Sequence, residues 1–416
     1  MTELIHVTFV LSTSSGGVGR HVRSVVDRLP ALGVLPRVVA PAATGATFGF
    51  DVPPPGVATA AGSSSSEPDP PGGTSGAPRP TDHRRGRATS PLTAPVPRAA
   101  EFTAVEIHTR PRPRQDLQAV RQLRRAVADA DVVHAHGFRA AALTGLALGR
   151  RRDGRTPLVA TWHNAVLGSA PRRYVLASLE RLAARRADIT LGASLDLVER
   201  AAGLGASDAR LAPVAAPAMA PPVKDREEIR AELGAGERPV VLAVGRLAPQ
   251  KDYETLLSAA VHWETRQPHP LVVVAGDGPE MDRLRRDADN ARVDVRFLGH
   301  RDDVPDLLAA ADVYVITSTW EARALVVQEA MRAAVPVVAT AVGGLPELVG
   351  DDALLVPPRQ PGAVAAAVAT LLDHPEHARQ LVERGQRRAA GWPDEDATAA
   401  QLAAIYAEFV AGHRPG

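Results

Sequence analysis

The sequence predicts an α/β protein built from two doubly wound parallel-sheet domains that face each other across a cleft. Short apolar, β-branched runs such as Val313–Ile316 are typical of buried parallel strands, and segments with helical spacing separate them. The chain has 416 residues, which is enough for two domains with extra segments. A proline-rich stretch at 212–222 lies near the middle of the chain and is typical of an inter-domain hinge.

The composition excludes several classes of protein. Lysine and arginine total 48 against 47 for aspartate and glutamate, so the net charge of +1 indicates no nucleic-acid partner. Cysteine is absent, which excludes disulfides and thiolate metal sites and fits a cytoplasmic location. The N-terminus has no basic region ahead of an apolar core, so we expect a strand there and not a signal peptide. No apolar run reaches about 18 residues, so we expect any membrane contact to be peripheral, at the inner face.

The first predicted strand, Ile5–Leu11, leads into a glycine-rich loop and a helix. The loop contains three glycines: Gly16, Gly17 and Gly19. Such a loop can approach a phosphate closely. The dinucleotide-binding pattern needs another glycine three residues after Gly19, where the chain has Val22, and no acidic residue ends the second strand, 35–40. The pattern therefore disfavours a nicotinamide cofactor.

Residues 41–100 consist largely of Pro, Gly, Ser, Ala and Arg. A segment of this composition cannot bury a core, so it predicts a disordered insertion between the second and third strands. We expect no catalytic role for it. A partner-binding or regulatory tail is the alternative interpretation.

Two later strands end in histidines. In the strand predicted at 131–137, alternation places His134 and His136 on one face, with His136 at the carboxyl end. The strand predicted at 157–164 ends in His163 and Asn164 at the same edge of the sheet. A lone histidine in such a position is more often structural.

A helix predicted at 171–186 carries five arginines beside Tyr174 and three leucines. Basic amphipathic helices can lie on anionic lipid. A solvated face of an arginine-rich protein is the other interpretation, and it is favoured.

The second domain is predicted to begin with the helix Arg226–Leu233 and a strand at 239–245. Arg246 and Lys251 follow the end of this strand and stand five residues apart. Two cations in this position can clamp a diphosphate, because arginine offers a planar fork and lysine a point charge. Two surface cations without a ligand are the simpler alternative.

The most informative stretch is 313–347, which has the order strand, loop, helix, strand, loop. Glu321 lies just ahead of the helix and Glu329 in its second turn. Both carboxylates can face the crevice at the carboxyl ends of the strands, where open α/β sheets bind ligands. The helix start offers three free backbone amides to a phosphate: Ala324, Leu325 and Val326. Carboxylates that accept from hydroxyls, with amides between them, suit a sugar nucleotide.

The segment that starts at Glu321 resembles the Glu-x7-Glu signature of the family 4 retaining glycosyltransferases, and the likeness continues through QEAMRAAVPVVAT and VGGLPELV. GGVGRHV, the HxH strand end and GRL…K are similar to further motifs of that family. The resemblance implies the GT-B fold and covers the chain except about 41–100. It departs from the family at Ala322, Arg323 and Ala324, where glycines are usual, which bears on the donor-sugar pocket.

The resemblance implies a hexosyl transfer from a UDP- or GDP-linked sugar, with retention at the anomeric carbon and without a metal or cofactor. The acceptor is left open among a lipid-linked molecule, a small molecule and a polysaccharide. The implied domains are 1–214 for the acceptor, 215–392 for the nucleotide sugar, and 393–416 as a helix that crosses back. The implied site consists of catalytic Glu321 and His136, donor-binding Gly17, Arg246, Lys251, Ala324, Leu325, Val326 and Glu329, and acceptor-side His163.

Three alternatives remain open from the sequence. The first is another GT-B enzyme, such as a sugar-nucleotide epimerase or a phosphorylase, although no lysine stands out to carry pyridoxal phosphate. The second is a non-catalytic nucleotide-sugar-binding protein, for which the missing glycines at 322 and 324 are an argument. The third is a nicotinamide oxidoreductase.

Overall fold

A computed structural model describes residues 4–14, 16–51, 100–150, 154–165 and 170–412, with only the backbone for 170–173. Within these residues, the N-terminal domain contains a parallel sheet in the order β3-β2-β1-β4-β5-β6-β7. Its strands are β1 (Ile5–Leu11), β2 (Val34–Ala40), β3 (Glu101–Ala104), β4 (Val132–His136), β5 (Leu158–Trp162), β6 (Ile189–Gly192) and β7 (Ala209–Leu211).

The C-terminal domain contains a second parallel sheet in the order β10-β9-β8-β11-β12-β13. Its strands are β8 (Val240–Val244), β9 (Leu271–Ala275), β10 (Val295–Gly299), β11 (Val313–Ile316), β12 (Val337–Thr340) and β13 (Leu354–Val356). The central strands are buried on both faces and rich in valine, as expected for parallel sheets covered by helices.

Helices cover both faces of each sheet. Those of the N-terminal half are α1 (Gly17–Arg28), α2 (Ala42–Phe48), α3 (Pro113–Ala126), α4 (Phe138–Leu148), α5 (Ala170–Arg186) and α6 (Leu195–Gly203). Those of the C-terminal half are α7 (Arg226–Leu233), α8 (Tyr253–Ala260), α9 (Met281–Ala291), α10 (Val304–Ala310), α11 (Leu325–Arg332), α12 (Leu345–Val349), α13 (Pro361–Asp373), α14 (Pro375–Ala390) and α15 (Glu395–Gly412). The predicted α/β class with two doubly wound domains is confirmed.

The strand orders place the site. In each sheet the order in which strands are added reverses beside the first strand of the domain. The reversal lies between β1 and β4 in the first sheet and between β8 and β11 in the second. Ligands of open α/β sheets bind at this switch point, beyond the carboxyl ends of the strands. Parallel pairing of Leu11 with His136, and of His136 with Thr161, aligns the glycine loop and the two histidine-bearing strand ends at one edge.

Two sequence-based expectations were wrong near the first helix. The predicted disordered insertion was drawn to begin at residue 41, but α2 is a helix and Phe50 is buried. The Ala- and Gly-rich composition of this segment hid the aromatic side chains that anchor it; residues 52–99 of the predicted insertion lie outside the described residues. Gly19 belongs to α1, where a Cβ would clash with the ring of Phe48, so it serves helix packing and not a loop.

Helix α15 returns from the C-terminal domain to the N-terminal one. Its Leu402, Ile405 and Tyr406 join Phe9 in the core beneath the first sheet. Ion pairs of Arg28 with Glu395 and Asp396 hold its start against α1. Among the described residues, every helix is too short or too polar to cross a bilayer.

Candidate active site

The turn after β8 brings Lys251 back over the strand end. Gly245 has φ of +156°, a conformation that L side chains rarely adopt, and its carbonyl accepts a hydrogen bond from the Tyr253 hydroxyl at 3.0 Å. A Cβ on Gly245 would lie 3.7 Å from Lys251 Nζ, so the lysine crosses directly above the glycine. Arg246, the next residue, is exposed at the surface. The predicted cations therefore do follow the strand end, one half-buried and one in solvent.

The Glu321 loop, residues 317–324, connects β11 to α11. Glu321 is 9% exposed, and its Oε1 accepts a hydrogen bond from the buried Ser318 hydroxyl at 2.7 Å. The loop backbone packs on Gly343 and Gly344, because a Cβ at either position would lie 2.0 Å from the carbonyl oxygen of Glu321 or Ala322. These two glycines therefore permit a close backbone approach.

Lys251 and Glu321 meet. Lys251 Nζ lies 2.7 Å from Glu321 Oε1, which is the same oxygen that Ser318 contacts. One cation and one carboxylate, drawn from the β8 and β11 turns, thus sit together at the switch point of the C-terminal sheet. A ligand phosphate placed here would compete with Glu321 for the ammonium group.

Glu329 lies partly buried in α11. Burial raises the pKa of its carboxyl above the usual value, opposed by the positive charges of Arg20 and Arg332. Arg20 comes from α1, so a side chain of the N-terminal domain is close enough to act on Glu329. Burial, with added effects of Tyr253, Glu329 and Glu321, raises the pKa of Tyr314. Both glutamates therefore lie near one buried phenol and do not point into bulk solvent.

The start of α11 offers unused backbone donors. Ala324 is the N-cap residue, and no side chain caps the helix. Within the described residues, the N–H groups of Ala324, Leu325 and Val326 have no hydrogen-bond partner. Across the cleft, a Cβ on Gly17 would lie 3.4 Å from Leu325 Cδ1, so the first turn of α1 faces the first turn of α11. The free amides at the start of α11 favour an anion beside them.

Four histidines of the N-terminal domain form a cluster: His21 from α1, His134 and His136 from β4, and His163 just after β5. His136 Nδ1 lies 2.9 Å from His163 Nε2, and the two rings are stacked. His134 is held by the Tyr406 and Thr161 hydroxyls, each at 2.6 Å, so it is a packed residue of the core. His136 Nε2 is buried and has no partner among the described residues.

Every member of the histidine cluster is kept neutral by its surroundings. Burial lowers the pKa of His21 to about 4 and, with the charge of His21, lowers that of His134 to about 3. Burial and the neighbouring imidazoles lower the pKa values of His136 and His163 well below 6.5. In a neutral His136–His163 pair, one hydrogen lies between His136 Nδ1 and His163 Nε2. If His163 donates this hydrogen, His136 Nε2 carries a hydrogen of its own and is a donor; if His136 Nδ1 donates it, His136 Nε2 is an acceptor.

Contacts between the domains surround the Glu321 loop. The indole N–H of Trp320 donates to Asp196 at 2.9 Å, and the Leu195 amide donates to Glu347 at 2.9 Å. The amide of Ala216, in the predicted hinge, donates to the side chain of Gln328 at 3.1 Å. The start of α6 therefore rests on the Glu321 loop and holds the cleft closed on one side.

The structure brings together most of the residues predicted from the sequence. Glu321, Lys251, Glu329 and the three amides lie at the carboxyl end of the second sheet, and His136 lies at that of the first. His163 was predicted on the acceptor side, and the structure places it in contact with His136. Sequence reasoning missed Ser318, which lies three residues before Glu321 and donates to its carboxylate. It also missed Trp320 and Asp196, for which no local pattern exists.

Sequence profiles of two known domain families match the chain. The family described as glycosyl transferases group 1 matches residues 225–388, and the glycosyl transferase 4-like domain matches residues 16–217. The two matches correspond to the two halves that carry the two sheets.

Individual relatives agree with these profiles. Alpha-D-kanosaminyltransferase of Streptomyces kanamyceticus is 33% identical over 190 residues, which cover 44% of this chain and 49% of that enzyme. Glycogen synthase of Mycobacterium tuberculosis is 31% identical over 300 residues, which cover 68% of this chain and 70% of that enzyme. The chain thus spans about half of the first of these relatives and over two thirds of the second.

The fold also matches solved structures. Anabaena Alr3699/HepE, solved in complex with UDP-glucose, superposes with a TM-score of 0.71 at 18% identity, over 97% of this chain and all of that one. At this identity the likeness shows the shared fold alone, which is the GT-B arrangement. From its two domain matches, its relatives and its fold, the chain belongs to the family 4 glycosyltransferases.

Proposed function

We propose that the chain is a retaining glycosyltransferase that moves a hexosyl unit from a UDP- or GDP-linked sugar to an acceptor hydroxyl without a metal ion. The observation that carries this proposal is the contact between Lys251 and Glu321 beside the free amides of α11. A cation and helix-start amides suit a diphosphate, and a buried carboxylate suits the hydroxyls of the attached sugar.

The proposed binding mode assigns each residue a task. Lys251, Arg246 and the amides of 324–326 hold the diphosphate, with Gly17 opposite them. Glu329 accepts hydrogen bonds from the ribose, and Glu321 orients the hydroxyls of the sugar. In this proposal, residues 1–214 bind the acceptor and residues 215–392 bind the nucleotide. Residues 393–416 cross back to the N-terminal domain.

The proposed reaction breaks the bond between the anomeric carbon and the diphosphate oxygen. The acceptor oxygen forms its new bond on the same face, and its proton passes to the departing phosphate. Lys251 and the helix-start amides stabilise the charge that develops on the diphosphate. Such preorganised groups typically supply several kcal/mol of the rate enhancement. The neutral histidine cluster is consistent with this route, since the proton goes to the leaving group.

His136 and His163 belong to the other wall of the proposed site. His136 Nε2 is a buried polar atom without a protein partner, so it can engage the transferred sugar. His163 is the proposed link to the acceptor side. It is 9% exposed and follows the β5 strand end, next to the exposed Asn164.

Peripheral contact with a membrane is a second, separate proposal. Tyr174 and Val175 on α5 are 71% and 52% exposed, and Arg181 and Arg185 are exposed on the same helix. Aromatic and apolar side chains beside arginines suit anionic lipid. Co-sedimentation with vesicles of phosphatidylglycerol, compared with phosphatidylcholine, tests this proposal, and equal sedimentation with both would contradict it.

The transferase proposal is tested in two steps. A thermal-shift screen across UDP- and GDP-linked hexoses should identify a donor that raises the unfolding temperature. NMR of the anomeric proton, after transfer or slow hydrolysis of that donor, should show the configuration of the donor retained. A donor that binds but is neither transferred nor hydrolysed would indicate a non-catalytic binding protein, and an inverted product would contradict retention.

A further inference from the structure

A groove of about 600 Å³ lies on the C-terminal domain, outside the residues assigned to the donor. It is lined by Asp352, Arg384, Arg387, Arg388, Gly391 and Trp392. We call it the arginine groove. Its volume falls within the range of about 300–1,000 Å³ that is typical of small-molecule sites. It shares no lining residue with the Glu321 loop.

The groove is positively charged. Arg384, Arg387 and Arg388 stand at positions i, i+3 and i+4 of α14, so they share one face of that helix. Asp352 accepts from Arg384 Nε at 3.0 Å and from Arg388 Nε at 2.6 Å, which occupies both of its oxygens. Within the described parts of the chain, Arg387 has no acidic partner. The three guanidinium groups therefore outnumber the one carboxylate.

The indole of Trp392 carries two more guanidinium groups at the edge of the groove. Arg323 Cζ lies 5.7 Å and Arg332 Cζ 5.9 Å from the centre of the ring. Arg323 Nε is buried without a hydrogen-bond partner in the described structure. Burial lowers the pKa of Arg323; Glu347 opposes this shift, and the nearby Arg332 adds to it.

The arrangement concentrates positive charge around Trp392. Cations in the last turn of α14 are favourable against the helix dipole, which accounts for Arg387 and Arg388. That effect does not account for Arg323 and Arg332, which reach the same indole from the Glu321 loop and from α11. Like charges gathered in one place repel, and a bound anion would relieve this repulsion.

We propose that the arginine groove is a second ligand site, which binds the phosphate group of a small phosphorylated molecule. Guanidinium groups match phosphate oxygens with paired hydrogen bonds. Arg384 Nη2 donates to the Asp351 carbonyl at 3.0 Å, which leaves Arg384 Nη1 and the Nη groups of Arg388 to donate beside Arg387. The volume leaves room for an organic part of about sugar size against the exposed edge of Trp392. The ligand class is therefore a phosphomonoester.

Calorimetry on the full chain tests this site with UDP present at saturation, so that the donor site is filled. Glucose 6-phosphate is the probe, and inorganic phosphate is the comparison. We expect glucose 6-phosphate to bind more tightly than inorganic phosphate. Arg387→Gln should weaken its binding at least tenfold, because it removes a guanidinium group from the groove. The variant should still fold, because this exposed arginine makes no ion pair with any residue that the structure describes.

Arg379→Gln is the matched control, since Arg379 lies on the same helix and, among the residues that the structure describes, pairs only with the exposed Glu376. It should bind the probe as the parent chain does. Absence of heat with glucose 6-phosphate, equal affinity for inorganic phosphate, or equal weakening by Arg379→Gln would each overturn the proposal. Because none of the residues that line the groove is assigned to the donor, such a result would leave the transferase proposal untouched.

Discussion

Lys251 Nζ and Glu321 Oε1 lie 2.7 Å apart, although three strands, β9, β10 and β11, lie between the two residues in the sequence. The pair joins the turn after β8 to the turn after β11, on the two sides of the switch point. Ser318 donates to the same carboxylate oxygen, so Glu321 is held from two directions. A diphosphate that enters the site must draw the lysine away from this carboxylate, which makes the pair the centre of the first predictions.

Lys251→Ala should weaken UDP binding by roughly 10- to 100-fold. A charge-assisted hydrogen bond contributes about 1.5–3 kcal/mol, and each 1.4 kcal/mol is about a factor of ten in affinity. Isothermal calorimetry with UDP and GDP gives the dissociation constants. Lys224→Ala is the control, because Lys224 is the only other lysine of the chain and pairs with Glu232 on the surface. Equal affinities in the parent chain and both variants would exclude Lys251 from the site.

Glu321→Gln should separate binding from transfer. The substitution removes the negative charge that competes for Lys251, so UDP should bind at least as tightly as to the parent chain. Transfer of the sugar should fall by about a hundredfold or more, since the group that orients its hydroxyls loses its charge. Calorimetry and a radiolabelled-sugar assay give the two numbers. Loss of UDP affinity as large as that of Lys251→Ala would instead assign Glu321 to the nucleotide.

Glu329→Gln should reduce the preference for a nucleotide with ribose hydroxyls over one that lacks them. The carboxylate is the proposed acceptor for the ribose hydroxyls, so the parent chain should bind UDP more tightly than 2′,3′-dideoxy-UDP. The difference in binding free energy between UDP and 2′,3′-dideoxy-UDP should be smaller in the variant than in the parent chain by at least about 1 kcal/mol, which is the size of one hydrogen bond. An unchanged difference between the two ligands would remove Glu329 from the ribose site.

The raised pKa of Glu329 adds a pH dependence to the same measurement. The ionised carboxylate is a stronger hydrogen-bond acceptor than the protonated carboxyl group. UDP affinity should therefore fall as the pH is lowered through this raised pKa, and the variant should lose that part of the fall.

The histidine cluster should make the fold sensitive to mild acid. Its members stay neutral in the folded chain, with pKa values of about 4 for His21 and about 3 for His134, but they bind protons below about pH 6.5 when unfolded. The unfolded state then binds more protons, so stability is complete above pH 6.5 and falls between pH 6.5 and 4. Urea unfolding should show a loss of at least about 2 kcal/mol between pH 7 and pH 5.

Two variants check the source of this loss. His21→Asn should reduce the difference between pH 7 and pH 5, because it removes one of the buried imidazoles. His262→Gln should leave it as it is, because His262 is exposed on the second domain. If both variants kept the full pH dependence, the loss of stability would have another origin.

Trp320→Phe should loosen the closure of the cleft. The phenyl ring keeps most of the packing but loses the hydrogen bond to Asp196, the contact that ties the Glu321 loop to α6. We expect the Michaelis constant for the donor to rise roughly fivefold, which corresponds to about 1 kcal/mol. Small-angle scattering of the ligand-free chain should show a larger radius of gyration. A kinetic constant and a radius equal to those of the parent chain would show that the contact does not hold the cleft.

The sequence by itself determined the strands and helices and the types of side chain at the strand ends. The strands Ile5–Leu11 and Val313–Ile316 were predicted with their observed bounds, because apolar runs between turn residues encode buried strands locally. The two glutamates at Glu-x7-Glu spacing were also visible, since both belong to one loop and helix. The prediction of disorder from composition was wrong at α2, where Phe48 and Phe50 anchor a segment otherwise rich in small residues to the first domain.

Only the tertiary structure decided which side chains meet. The pairs Lys251–Glu321, His136–His163 and Trp320–Asp196 join residues from different strand ends, and the last pair joins two domains. No local spacing encodes such contacts, because they depend on strand order and on how far the cleft closes. The arginine groove is of the same kind, since α14, α11 and the Glu321 loop converge on Trp392 only when the second domain has folded.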